Sequence, residues 1–358
     1  MHDEVEEGVT VENTLEKGDA VGLGLTFFLE LFKGFGDEEG VGEWGCVGDR
    51  HSHSSFSSIL PSFSSSLFFS SRRTAMTTRE ILNKMKVKVG LGSSDPDSGK
   101  GKSKMSKNIT HGFHLVKGKS YHDMEDYVVA QFKQVDSNEL GLFAIFDGHA
   151  GHNVPSYLQS HLFDNIIKEP DFWKEPADAV KRAYSKTDSN ILEMSGELGR
   201  GGSTAVTAIL VNCQKLIVAN IGDSRAVLSK KGVAKQLSVD HEPITEHEDI
   251  KNRGGFVSNF PGDVPRVDGR LAVSRAFGDK SLKKHLSSEP FVTVENIGDD
   301  AELIILASDG LWKVMSNQDA VNCIRNVKDA RSSAKRLTEE AVNRKSTDDI
   351  SCIVVKFQ

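Results

Sequence analysis

Residues 111–358 of this sequence predict an α+β fold, a four-layer sandwich of two antiparallel β-sheets flanked by pairs of α-helices. Three observations carry the expectation: strands come in runs, helices come in pairs, and the strands are joined by turns too short for parallel crossovers. The 358-residue chain, 38% hydrophobic and 27% charged, holds enough apolar material for such a core and is long enough for one large or two ordinary domains.

The elements follow in order. Residues 113–116, 127–132 and 140–146 read as strands, because β-branched and aromatic residues run between Gly, Asn and Asp breakers. Three in succession suggest a meander. Residues 153–167 and 177–194 carry apolar side chains at three-and-four spacing (Ala179, Val180, Ala183, then Ile191 and Leu192), so two amphipathic helices cover one sheet face. Four strands come next, 204–211, 215–221, 225–229 and 233–237, with tight turns at Gly222-Asp223 and Lys231-Gly232 that demand antiparallel pairing. Strands at 302–307 and 350–357 then enclose helices at 317–327 and 330–345.

The first hundred residues differ. Residues 1–50 carry 13 acidic and 3 basic side chains, residues 51–110 carry 3 and 10, and residues 111–358 carry 35 and 31. Residues 1–75, acidic and then serine-rich with Phe56, Phe63, Phe68 and Phe69, show no sustained period, and a disordered extension is expected. Residues 76–110 read as a basic polar linker, whose lysines at 100, 102, 104 and 107 are expected to be solvated rather than a nuclear signal. The folded domain is expected to start at 111. The serine run ending at Arg72 and Arg73 resembles an organelle transit peptide, but about fifty mostly acidic residues precede it, so cytoplasm or nucleus is expected over a plastid. Met76 is a candidate initiator, with the preceding segment an extended gene model.

Some classes are excluded. The most apolar run, from Val21 to Leu29, stops at Glu30, far short of the ~20 residues of a spanning helix. Cys46, Cys213, Cys323 and Cys352 lack the spacing of a zinc site or a disulfide framework, so reduced thiols are expected. With a net charge of −7, and neither a basic groove nor an aromatic stacking run in 111–358, nucleic acid is not an expected partner. A monomer is expected.

The chemistry lies in acidic residues at strand ends. Asp147 terminates the apolar run LFAIF, Glu125 and Asp126 stand before 127–132, Asp309 terminates LIILAS, and Asp348 and Asp349 precede the last strand. Singly, an Asp-Gly pair at a strand end is ordinarily a turn. Together, four such termini gather negative charge that a fold tolerates only with cations. Oxygen-only ligands suit Mg²⁺ or Mn²⁺. Two ions about 3.5 to 4 Å apart would turn a shared water into a nucleophile, which implies phosphoester hydrolysis. His149 stands two residues after Asp147 and could protonate a leaving oxygen. Its ordinary role would be capping or packing at the start of the helix near residue 153.

The motifs MEDY, FDGHAG, GGSTAV, ANIGDSRAVL, LSVDHEP, NRGGFV, LAVSRAFGD, ASDGLW and DDIS occur in the order typical of the metal-dependent serine/threonine protein phosphatases of the 2C type. The resemblance covers about residues 110–357, and GKSYHDMEDYVV looks most like plant members. It implies the sandwich already described and phosphoserine or phosphothreonine proteins as substrates. It also implies a centre of two Mg²⁺ or Mn²⁺ ions with a bridging water as nucleophile. By resemblance, Asp126, Asp147, Asp309 and Asp348 are metal-binding carboxylates, with Asp147 bridging the ions. Gly148 binds through its main-chain carbonyl, Glu125 through metal-held water, and Asp240 belongs to a weaker third ion. His149 is the general acid.

The departures are specific. Many members carry a phosphate-clamping arginine where this chain has Tyr121, which leaves Lys119 and His122 as phosphate-binding candidates acting as point contacts. The family's DGLWD reads DGLWK, with Lys313 in place of the acid, and its Asp-Asn pair reads Asp348-Asp349. Residues 254–269 resemble the flap beside the substrate groove and lack the tryptophan that hormone receptors engage in some plant members. The missing arginine and Lys313 keep a second reading open, a catalytically weak pseudophosphatase that binds phosphoproteins. A third is a two-metal hydrolase of another phosphoester.

Overall fold

Apolar runs between glycine and aspartate breakers form the strands of the computed structural model, which describes residues 97–106 and 108–357. The expected extension over 1–75 and the Met76 initiator lie outside the described residues. The strands are β1 (Ser98–Lys102), β2 (Ile109–Val116), β3 (Asp126–Val135), β4 (Asn138–His149), β5 (Gly202–Ser203), β6 (Ala205–Val211), β7 (Lys215–Ile221) and β8 (Arg225–Lys230). They continue as β9 (Val233–Gln236), β10 (Val257–Ser258), β11 (Arg266–Val267), β12 (Phe277–Gly278), β13 (Phe291–Asn296), β14 (Ala301–Ala307) and β15 (Ile350–Phe357). The helices are α1 (Asn153–Ile167), α2 (Pro176–Glu193), α3 (Ser195–Leu198), α4 (His247–Asn252), α5 (Asp309–Trp312), α6 (Asn317–Ile324) and α7 (Ala330–Asn343).

One sheet runs β1-β2-β15-β14-β8-β9 and the other β12-β5-β4-β6-β7-β13, with β3 also paired to β4. Their facing sides bury Phe143, Ile145, Val206 and Ala208 against Leu228, Ile304, Leu306 and Ile353. The outer face of one sheet (Leu142, Ala144, Phe146) packs on Leu158 and Leu162 of α1 and on Val180 and Tyr184 of α2. The outer face of the other (Ile305, Ala307, Val354) packs on Val321 of α6 and Leu337 of α7. Period-two alternation in β4 thus feeds two cores at once, which makes the four layers. At Gly112 a Cβ would lie 2.2 Å from the Arg331 backbone nitrogen, so glycine allows α7 to seat against β2.

Two expectations are corrected. The first three strands are not a meander: β2 pairs with β1 and β15, while β3 pairs with β4 in the other sheet. The polar linker does not extend to residue 110, because Ser98–Lys102 is a strand antiparallel to β2. Its composition misleads for a physical reason. A Cβ at Gly99 would lie 2.4 Å from the Phe113 ring, and one at Gly101 2.4 Å from the His111 ring, so a strand laid over these rings needs glycines. Lys100 and Lys102 alternate to the exposed face. Beyond the strand, Ser103 and the Lys104 backbone N–H donate to Glu139.

Candidate metal centre

The carboxylates converge because antiparallel pairing and turns place them there. In the β3–β4 ladder Asp126 stands opposite Asp147. Asp309 follows β14 and opens α5. Asp223 sits in the turn between β7 and β8, directly after Gly222, whose φ of 93° suits glycine. Asp147, Asp223 and Asp309 each offer an oxygen within 4.8 Å of the others.

These charges oppose one another. Asp126 is 5% exposed, and its Oδ2 has no hydrogen-bond partner among the described residues. Burial pushes its pKa up to about 7. Burial, then the charges of Asp126 and Asp309, raises Asp147 well above the carboxylate range. Burial and the Asp309 charge do the same to Asp223. Asp309 is raised by burial despite its partner Lys313. An orphaned buried carboxylate oxygen beside three clustered ones, all oxygen donors, fits a hard divalent cation.

The surroundings hold this cluster in place. Asp349 accepts from the Gly118 backbone N–H at 2.7 Å and from that of Glu125 at 3.0 Å, so the start of β15 fixes the loop leading to Asp126. Glu125 accepts from the Gly151 backbone N–H at 2.9 Å. A Cβ on Gly148 would lie 2.6 Å from Pro155 and 2.8 Å from the Glu125 carbonyl oxygen, so the closeness of these segments needs glycine there. Asp348 is half-exposed and faces Lys313, whose ammonium lies 2.9 Å from it and 2.5 Å from Asp309. Burial works against this ammonium, but attraction to both carboxylates outweighs it and raises its pKa.

His149 does not cap α1, which has no side-chain cap; its Nε2 lies 2.7 Å from Oδ2 of the buried Asp279. Tyr121, Lys119 and His122 are exposed on the loop before Glu125. His122 Nδ1 lies 2.9 Å from the Asp123 carbonyl and 3.6 Å from Glu125, and that carbonyl first, then the charge of Glu125, outweighs its desolvation and raises its pKa. Residues 254–269 form the β10–β11 hairpin, with Phe256, Phe260 and Val264 exposed.

Asp240, expected at a weaker third ion, lies against Arg225. Its carboxylate is gripped by Arg225 through Nε, at 3.2 and 3.1 Å, and through Nη2. Arg225 also donates to Asn317 at 2.7 Å and lies over the Trp312 ring. Asp223, and not Asp240, offers an oxygen within 4.8 Å of those of Asp147 and Asp309. Sequence reasoning took Asp223 only as a turn residue; its position after a positive-φ glycine between two core strands was the available signal. Asp279 carried no comparable signal, since only the fold brings it to His149.

The sequence model of the protein phosphatase 2C family matches residues 113–350. Probable protein phosphatase 2C 39 of Arabidopsis thaliana is 72% identical over 289 residues, covering 79% of this chain and 100% of the relative. Probable protein phosphatase 2C 62 of Oryza sativa subsp. japonica is 65% identical over 288 residues, 79% of this chain and 99% of the relative. Among solved structures, a serine-threonine phosphatase 2C from Toxoplasma gondii shares the fold, with a TM-score of 0.62 at 24% identity, covering 74% of this chain and 100% of that one. A C. elegans sex determining protein is similar with a TM-score of 0.62 at 25% identity, over 69% of this chain and 64% of that one.

Proposed function

The chain belongs to the protein phosphatase 2C family and is a protein-serine/threonine phosphatase, and from that premise we propose that it works through two divalent ions at the strand-end carboxylates. The cluster of Asp147, Asp223 and Asp309, with the unpartnered Oδ2 of Asp126 beside it, is the observation that carries this reading. Asp126, Asp147, Asp309 and Asp348 would hold two Mg²⁺ or Mn²⁺ ions, with the Gly148 carbonyl and Glu125 completing their surroundings and Asp223, rather than Asp240, serving any weaker third. Such ions supply Lewis acidity and an activated water for attack at phosphorus.

The chain's own residues do the rest. Asp349 holds the Gly118–Glu125 loop and thereby sets Asp126 against Asp147. With both ring nitrogens protonated, His149 donates through Nε2 to Asp279, which orients the ring, and gives its Nδ1 proton to the departing serine or threonine oxygen, ending as the neutral imidazole. Lys119 and His122 supply positive charge for the substrate phosphate where a bidentate clamp is missing. Phosphoproteins are the substrates, and the protein acts as a monomer. Among the described residues no helix is long and apolar enough to cross a membrane.

The test is an assay of chelator-stripped full-length chain against a phosphothreonine peptide, a phosphotyrosine peptide and a nucleotide. Turnover of the phosphothreonine peptide with Mn²⁺ or Mg²⁺ but not Ca²⁺ is expected, because the larger, looser Ca²⁺ shell misplaces the water. Full activity in the metal-free protein overturns the two-ion mechanism. Binding of the peptide without turnover establishes the pseudophosphatase instead.

A further inference from the structure

Position 313 brings a positive charge into the carboxylate group where the family sequence pattern has an acid. The Lys313 ammonium lies 2.5 Å from Asp309 and 2.9 Å from Asp348, and it comes from the residue that caps the C-terminus of α5, four positions after Asp309. Its side chain remains half-exposed, so the stem spans from solvent to the cluster. Two of the carboxylates expected to hold ions therefore already share a cation that belongs to the chain.

We propose that Lys313 is a tethered cation that competes with a divalent ion at the Asp309–Asp348 edge and sets how tightly the weakest ion is loaded. The inference rests on the two-ion reading above. An ammonium within contact of two carboxylates neutralises part of their charge, and it must swing away or share them when an ion arrives. Either course weakens that ion, whereas an acid at the same position would add a ligand and strengthen it. The same ammonium relieves repulsion among Asp147, Asp223 and Asp309 when no ion is bound, so it has opposite effects on the metal-free and metal-loaded protein.

The full-length chain, stripped with chelator, is titrated with Mn²⁺ while free Mn²⁺ is followed by electron paramagnetic resonance. Wild type, Lys313→Met, Lys313→Arg and Lys313→Asp are compared, and melting temperatures are measured with and without Mn²⁺. The weakest Mn²⁺ is expected to bind at least about 10-fold more tightly in Lys313→Met than in wild type. Lys313→Arg should track wild type, and Lys313→Asp should bind tightest or take up one ion more. Metal-free Lys313→Met should melt below metal-free wild type, with the difference erased or reversed at saturating Mn²⁺. Superimposed Mn²⁺ isotherms for wild type and Lys313→Met overturn the proposal while leaving the two-ion reading intact. So does an unchanged isotherm accompanied by a raised KM for phosphopeptide, which would assign Lys313 to the substrate phosphate. A wild type that binds no Mn²⁺ overturns both.

Discussion

His149 and Asp279 meet across 130 residues of chain, with Nε2 2.7 Å from the carboxylate oxygen Oδ2. Gly202 makes room for the pair: a Cβ there would stand 2.1 Å from Asp279 Oδ2 and 2.6 Å from His149 Nε2.

A proton donor matters most when the departing oxygen is a poor leaving group. His149→Ala should therefore slow hydrolysis of a phosphothreonine peptide by about 10²-fold or more, and barely change turnover of p-nitrophenyl phosphate. Asp279→Asn and Gly202→Ala, which disturb the imidazole without removing it, should give the same substrate split at a smaller size, about 10-fold. Equal losses on both substrates would return His149 to a packing role.

Stability of the stripped protein should depend on pH in an unusual direction. Asp126 is raised from the ordinary 3.8 to about 7, and Asp147, Asp223 and Asp309 are raised as well, burial being the first cause in each. Between about pH 4 and 7 the folded state thus holds protons that the unfolded state has lost, and stability falls as pH rises through that window. For each such carboxylate the cost grows by about 1.4 kcal/mol per pH unit between its unfolded and folded pKa and levels off above the folded one. Urea midpoints of metal-free protein should fall from about pH 5 to 7, and Mn²⁺ at pH 7 should restore them. A flat or rising metal-free profile would show that the cluster is charge-compensated without ions.

Asp223 and Asp240 should separate cleanly. Asp223→Asn removes a carboxylate from the cluster and should shift the Mn²⁺ concentration that supports half-maximal activity, while the metal-free protein melts no lower, and higher at pH 7, than wild type. Asp240→Asn leaves Arg225 without its bidentate partner and should lower melting temperature, a loss of about 1 to 3 kcal/mol, while the Mn²⁺ dependence holds. The reverse pattern would place Asp240 at an ion.

Much of this was legible because local signals were strong. The spans Asn153–Ile167, Lys215–Ile221 and Ile350–Phe357 match the periodicities in the sequence residue for residue, since apolar spacing alone decides such elements. Asp147 and Asp309 were legible because each ends an uninterrupted apolar strand. The strand at Ser98–Lys102 was not, because its glycines answer to Phe113 and His111 rather than to its own propensity. Neither was Phe291–Asn296, which among the described residues is an edge strand paired only with β7 and is half open to solvent. Asp223 and Asp279 needed the folded distances.

The start of the domain gives a further test. A chain beginning at residue 97 keeps β1 and the Ser103–Glu139 bond; one beginning at residue 108 loses both and exposes Phe113 and the buried Glu139. The shorter chain should melt lower, by an amount set by an unpartnered buried carboxylate, about 1 to 3 kcal/mol or more. Equal melting temperatures would restore residue 111 as the working boundary.

Asp349, whose carboxylate fixes the loop before Asp126, reaches back 231 residues to Gly118 and 224 to Glu125. It stands at the head of β15, which lies between β2 and β14 in the interior of its sheet. Every other described strand leaves the ribosome before it. A chain cut before Asp349 would therefore keep all the strands of one sheet, leave a gap in the middle of the other, and lose the carboxylate that holds the loop before Asp126.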